Sequence, residues 1–280
     1  MPLVTTAELM RTAATNGGGV AAFNVITLEH AEGIVAGAQR AATPVILQVS
    51  ENTVAFHGTL RPISAALTAL ATDAAIPVGL HLDHVEAAHL WEQAVAAGYS
   101  SVMVDGGALP YDRNVTVTAE ATTLLHGRGL AVEAELGYVG GKDTQVSSAH
   151  APGVRTDPAQ AAEFVSATGI DALAVAVGSS HAMTTRTAEL DLDLIAALRD
   201  AVPVPLVLHG SSGVPDDALR AAVRAGIVKV NIGTALNVAY TKGVRSAFAA
   251  DDAVDPRRAL RSARAAIADT VAHLLDVVSR

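Results

Sequence analysis

Eight short apolar runs recur at fairly even spacing along this 280-residue chain, and they restrict its fold more than any other feature. They are GVAAFNV (19–25), PVILQVS (44–50), PVGLHLDH (77–84), SVMVDG (101–106), LAVEAELG (130–137), ALAVAVG (172–178), PLVLHG (205–210) and IVKVNIG (227–233). Most are nearly continuous apolar stretches, the pattern of parallel strands covered on both faces. Ala-rich segments of helical period, such as LEHAEGIVAGAQRAA and DDALRAAVRAG, lie between them. Gly98, Gly129, Gly169 and Gly226 stand just before a strand, where a helix C-terminus calls for a left-handed residue. In TDPAQAAEF, Asp157 can cap a helix whose first turn holds Pro158. Eight β–α units in this length specify a (β/α)8 barrel, an α/β fold of the TIM type, as one domain over 1–280. The segment after 235 supplies the eighth helix and further helix, with a polar break at AADDAVDPRRAL. A doubly wound open sheet is the competing architecture, and regular crossovers between eight strands favour closure.

Composition narrows the chemistry. Half the residues are apolar and only 3% aromatic, so a large core is built from Ala, Val and Leu. The formal charge of −9 argues against a nucleic-acid partner, while leaving room for a local phosphate pocket. There is no cysteine, so any metal must be held by histidine and carboxylate. The N-terminus MPLVTTAELM lacks a basic start followed by an apolar core, and no apolar run is as long as a membrane span. A cytoplasmic protein without a membrane partner is expected.

A barrel predicts that chemistry gathers at the C-terminal ends of its strands. His84 ends the third strand, His181 follows the sixth, and His209 ends the seventh. Each alone is more often a packing histidine. Together at one rim they match a three-histidine zinc site with an open position. His81 alternates with Asp83 and should lie a layer below, hydrogen-bonded to a ligand. His30, His89, His126 and His273 read as surface or packing residues, His57 as a rim candidate, and His150 as part of a polar loop. Asp83, Asp105, Glu133 and Glu135 gather at the same rim, where each either handles a proton, touches metal or braces a ligand. HGSSGV (209–214), with Gly210, Ser211 and Ser212, and NIGTAL (231–236), with Asn231, Gly233 and Thr234, offer small residues and amides after strands seven and eight. That is the usual phosphate cup of such barrels.

AFNV, HLDH, SVMVDG, VEAELG, GSSHA, LHGSSGV and KVNIGT stand in an order that resembles the class II, metal-dependent fructose/tagatose-bisphosphate aldolases, from about residue 3 to the last helix. The resemblance implies reversible cleavage of fructose or tagatose 1,6-bisphosphate to dihydroxyacetone phosphate and glyceraldehyde 3-phosphate. It implies His84, His181 and His209 as ligands of catalytic Zn2+, with Asp105 and Glu135 near the metal at an alternate position. Asp83 would exchange a proton with the hydroxyl at the new C–C bond. Ala182, Gly210, Ser212, Asn231, Gly233 and Thr234 would hold the dihydroxyacetone phosphate half, and Ser50 would contact substrate. A monovalent cation (Na+ or K+) near the phosphate and a homodimer or homotetramer are also implied.

Three departures bear on the substrate. The family's mobile loop carries a glutamate in GGQED, where this chain has GGKDTQ, so Asp143 would take the base role with a shorter reach. HAMTTR follows the sixth strand instead of a glycine and an aromatic residue, and Arg186 there either meets a second phosphate or is a solvated loop charge. Gly106 and Gly107 follow Asp105, removing a hydroxyl. These changes leave the aldehyde half open, including another dihydroxyacetone phosphate adduct. A metal-dependent hydrolase is disfavoured because strand one ends without a His-x-His pair, and a non-catalytic sugar-phosphate binder because binding alone does not require Asp83 and three histidines.

Overall fold

A computed structural model describes residues 2–137, 139, 155–250 and 254–279. In chain order its elements are α1 (Thr6–Thr15), β1 (Val20–Asn24), α2 (Leu28–Ala41), β2 (Val45–Ser50), α3 (Glu51–His57), α4 (Arg61–Asp73), β3 (Val78–Val85), α5 (Ala88–Ala94), β4 (Ser101–Val104) and α6 (Tyr111–His126). They continue as β5 (Ala131–Leu136), α7 (Pro158–Thr168), β6 (Ala172–Val175), α8 (Leu192–Ala201), β7 (Leu206–Leu208), α9 (Asp216–Ala225), β8 (Ile227–Ile232), α10 (Thr234–Ala250) and α11 (Pro256–Val278). The eight strands close into a parallel barrel in sequence order, β8 pairing back onto β1 through Ala22 and Asn231.

Alternation along each strand divides the residues into two populations. Phe23, Leu47, Leu80, Leu82, Val102, Val132, Leu173 and Val230 belong to the large apolar cluster beneath the helices. Their neighbours in sequence face the barrel interior, where the bottom layer is a second apolar cluster of Val20, Ala22, Ile46, Ala172, Ala174 and Val207. Leu9 and Met10 of α1 join that cluster and plug the N-terminal end of the barrel. Above it the interior turns polar: Gln48, His81, Asp83, Ser101, Glu133, Glu135, Lys229 and Asn231 are all buried.

The helix signals act as expected at most ends. Asp157 caps α7 by accepting the Gln160 amide, with Pro158 in the first turn, and Gly98, Gly129, Gly169 and Gly226 all have positive φ. The polar break separates α10 from α11, whose start is capped by Asp255 before Pro256. Helix α1 was not anticipated. Its signal is Thr5-Thr6-Ala7-Glu8, in which Thr5 Oγ1 accepts the Glu8 amide. No described helix is long and apolar enough to cross a membrane.

Candidate active site

Asp83 and His84 pose a geometric problem, because adjacent strand residues point to opposite faces. The chain solves it at the end of β3. His84 adopts φ +49°, and the β3–β4 register slips between Leu82 and Val85. The left-handed residue turns its imidazole to the same side as Asp83. Histidine accepts this region better than most residues, at a cost of about 1–3 kcal/mol that the surrounding contacts must hold. Ala182, beside His181, repeats the device with φ +58°.

These turns bring three imidazoles together. The ring centroids of His84 lie 5.2 Å from those of His181 and 4.8 Å from those of His209, and His181 and His209 are 5.8 Å apart. One nitrogen from each lies within 4.8 Å of the others, so a small inward adjustment lets all three share one divalent ion. Carboxylates contact two of the rings, and on His209 they occupy both nitrogens, so one of them gives way where a metal binds. His84 Nδ1 lies 2.8 Å from Asp105 Oδ2, and His209 Nδ1 lies 2.7 Å from Glu135 Oε2. This carboxylate–histidine pairing is how metal ligands are oriented and made more basic. Asp105 and Glu135 each contact a histidine of the cluster, and Gly107, which lacks the hydroxyl noted above, donates its amide to Asp105 Oδ1 at 3.1 Å.

Beneath the rings lies a buried charge network. Lys229 Nζ donates to Glu133 Oε2 at 2.8 Å, and Glu133 Oε1 lies 3.0 Å from His209 Nε2. Burial opposes ionisation of Glu133, but Lys229 and His209 hold it well below the usual carboxylate range. Burial likewise opposes a charged His209, yet its bonds to Glu133 and Glu135 push it up to about 9. His81 sits in the expected layer, but among the described residues it bonds no ligand histidine. Its Nδ1 lies 2.7 Å from Ser101 Oγ, and burial, then Lys229, lowers it to about 3.

Asp83 is buried and gripped by amides. Asn24 Nδ2 donates to it at 3.0 Å, Gln48 Nε2 at 3.2 Å and Asn231 Nδ2 at 3.4 Å. Strand register places these donors: Asn24 pairs with Gln48, and Ser50 with Asp83. Burial raises its pKa, but His84, His81 and Lys229 outweigh this and keep Asp83 below its ordinary value. Asn24 and Gln48 were missed in the sequence. Their signal is a polar residue at an inward position of an otherwise apolar strand.

A cavity of about 850 Å³ opens above the cluster. Ser50, Asp83, His84, Asp105, His181, Ala182, Gly210, Ser212, Asn231, Gly233 and Thr234 all line it. Gly210 has φ +66°, and a Cβ there would stand 2.6 Å from the Ser180 backbone, so only glycine lets the loops after β6 and β7 meet. Ser212 Oγ accepts the Ala235 amide at 3.0 Å, joining the β7 loop to the start of α10. Ser211 differs: it is buried and its hydroxyl donates to Leu208 O, so it does not line the cavity. Arg186 is an exposed loop charge, as one of its two readings had it, and it does not line the cavity. Its guanidinium donates to Val214 O at 2.7 Å and pairs with Asp216 at 2.5 Å. His57 is exposed and does not line the cavity, its Nε2 lying 2.7 Å from Ile26 O. Asp143 and His150 lie outside the described residues.

One family profile and three solved structures bear on this site. The profile of the family "Fructose-bisphosphate aldolase class-II" matches residues 4–280. The YdjI aldolase from Escherichia coli K12 is 32% identical, with a TM-score of 0.86 over 99% of this chain and 97% of its own. A Coccidioides immitis protein assigned as a fructose-1,6-bisphosphate aldolase is 27% identical, with a TM-score of 0.87 over 98% of this chain and 95% of its own. The fold is also that of the fructose-bisphosphate aldolase from Campylobacter jejuni, at 21% identity and a TM-score of 0.84 over 99% of this chain and 95% of its own.

Proposed function

The chain belongs to the class II fructose-bisphosphate aldolase family, and from that premise we propose that it catalyses the reversible, zinc-dependent cleavage of a ketose 1-phosphate to dihydroxyacetone phosphate and an aldehyde. The observation that carries this is the convergence of His84, His181 and His209, from three distant strand ends, beside a buried Asp83. Those histidines would hold zinc, which supplies Lewis acidity toward the charge that develops on the ketone oxygen. The three-imidazole donor set suits zinc or cobalt better than magnesium.

In cleavage, Asp83 accepts the proton of the C4 hydroxyl as that oxygen becomes the aldehyde carbonyl. The C3–C4 electron pair stays with the three-carbon half as an enediolate, and protonation at C3 completes dihydroxyacetone phosphate. The amide cage of Asn24, Gln48 and Asn231 fixes Asp83 for the transfer, while the neighbouring histidines and Lys229 keep it ionised. We assign the C3 proton to Asp143 from the resemblance; Asp143→Ala should lose most turnover while keeping zinc. The phosphate of the three-carbon half is taken by the backbone around Ala182, Gly210, Ser212, Gly233 and Thr234, where the first turn of the 17-residue α10 adds its positive end. A sodium or potassium ion beside that phosphate belongs to the same reading. No lysine imine is invoked, because Lys229 is held by Glu133 below the cavity.

Fructose and tagatose 1,6-bisphosphates are the substrates named by the resemblance. The cavity favours a second reading, another dihydroxyacetone phosphate adduct, because no Lys or Arg lines it among the described residues. We take the enzyme to be cytoplasmic and a homodimer or homotetramer, which sedimentation would check. The deciding experiment combines metal analysis with release of dihydroxyacetone phosphate from both bisphosphates and from ketose 1-phosphates. One zinc per chain and activity lost on chelation and regained on zinc addition support the proposal. Release that persists in metal-free protein overturns it.

A further inference from the structure

We propose that the aldehyde half of the substrate carries no phosphate and is an uncharged hydroxyaldehyde. This rests on the assignment of the three-carbon ketone half above. With the ketone phosphate at the loops after β7 and β8, the rest of the sugar extends across the metal cluster to the opposite rim. That rim is built by the loops after β1, β2 and β3, through Ile26, Glu51, Asn52, Phe56 and Glu86.

Among the described residues its formal side-chain charge is negative. Glu51 Oε2 accepts the amides of Glu86 and Ala87 at 2.7 and 3.1 Å, which fixes a carboxylate at the rim. Glu86 adds a second, exposed carboxylate. No described Lys or Arg lines the cavity to offset them. The nearby cations are committed elsewhere: Lys229 to Glu133 below the floor, and Arg186 to Val214 O and Asp216. Lys242 and Arg245 line a separate groove beyond Thr234, on the ketone-phosphate side. A terminal phosphate would be brought against Glu51 and Glu86 with no Lys or Arg among the described residues to offset them, an arrangement that rejects such a ligand by repulsion. A neutral polyol end meets the opposite situation. Its hydroxyls donate to these carboxylates and to Asn52, and its carbons cover Phe56, whose ring is 70% exposed.

The test uses the zinc-loaded full chain with dihydroxyacetone phosphate and a panel of aldehydes. Exchange of the C3 hydrogen with deuterium oxide, followed by NMR without any aldehyde, reports on the ketone half alone. Condensation rates are then compared for glyceraldehyde 3-phosphate and for D- and L-glyceraldehyde. We expect exchange, and a kcat/KM for unphosphorylated glyceraldehyde at least about tenfold above that for the phosphate ester, the effect of one or two unscreened charges. Exchange together with an equal or faster reaction of glyceraldehyde 3-phosphate overturns the inference and leaves the aldolase assignment standing. Absence of exchange removes the assignment and the inference with it. As a second arm, Glu86→Lys should shift the ratio about tenfold toward the phosphorylated aldehyde; a ratio that does not move counts against the rim as the source of selectivity.

Discussion

Replacing Lys229 with methionine is the sharpest test of how the barrel interior is held. Lys229 and Glu133 are both buried, with 2.8 Å between Nζ and Oε2. Methionine keeps most of the aliphatic stem, so little packing is lost and the change isolates the charge. Breaking a buried pair by removing one partner costs about 3–5 kcal/mol, because the other charge is left uncompensated. Glu133 still has His209 Nε2 at 3.0 Å, which places the cost at the lower end, about 3 kcal/mol. For a chain of this size about 2 °C is lost per kcal/mol, so the unfolding midpoint should fall by about 6 °C. The assay is a thermal melt of metal-free parent, Lys229→Met, Glu133→Gln and the double variant. Because Glu133→Gln removes the stranded charge, the double variant should recover at least about half of the loss, a coupling well above the error of additive sites. A single variant melting within about 1 °C of the parent, or a double variant equal to the sum of the singles, would refute the argument that the pair is coupled.

Other consequences are equally direct. Asp105→Ala should weaken zinc affinity about 10–100-fold by freeing His84 Nδ1, read by competition with a chromophoric chelator; unchanged affinity would deny Asp105 its bracing part. His181→Ala should lose stoichiometric zinc outright in elemental analysis, with the melting curve of the metal-free chain little changed. Asp83→Asn should keep zinc and lower kcat about 10²–10⁴-fold, and a variant that loses metal instead would point to a structural part. In metal-free protein, stability should peak near pH 6.5. Below that value the unfolded chain protonates His81, which the native state holds down to about 3, so stability falls by up to about 1.4 kcal/mol per unit. Above it, the stabilisation from protonated His209 is lost progressively toward its folded value of about 9. Urea titrations across pH 5–9 in about one-unit steps would expose a monotonic trend, which would contradict both assignments.

Much of this was legible in the chain because period and rim position are local properties. The eight runs map onto β1 to β8 within three residues at either end, since each is apolar on the helix side and flanked by Gly, Asp or Pro punctuation. The three histidines were found because they end strands, and a closed parallel barrel brings all strand ends to one rim. What was not legible depended on pairing. Asn24 and Gln48 grip Asp83 only through a cross-strand register that no single run encodes. The assignment of Glu133 to Lys229, and of Glu135 to His209, turns on which inward residue stands opposite which. The left-handed backbone at His84 follows from a register slip. Arg186 was ambiguous because its partner Asp216 belongs to a helix thirty residues on, outside any local pattern.

The separation of inward and outward residues along each strand has a consequence for how such a protein can change. Leu80 and Leu82 grip the helices while His81 and Asp83, one position away, belong to the polar interior beneath and beside the candidate site. Sequence drift at odd and even positions of the same segment is therefore answerable to different tests, one of cohesion and one of catalysis. Mouth loops after β1 to β3, away from the proposed phosphate cup, are held less strictly by either, so new partners for the proposed three-carbon ketone can be tried there without remaking the vessel that holds it.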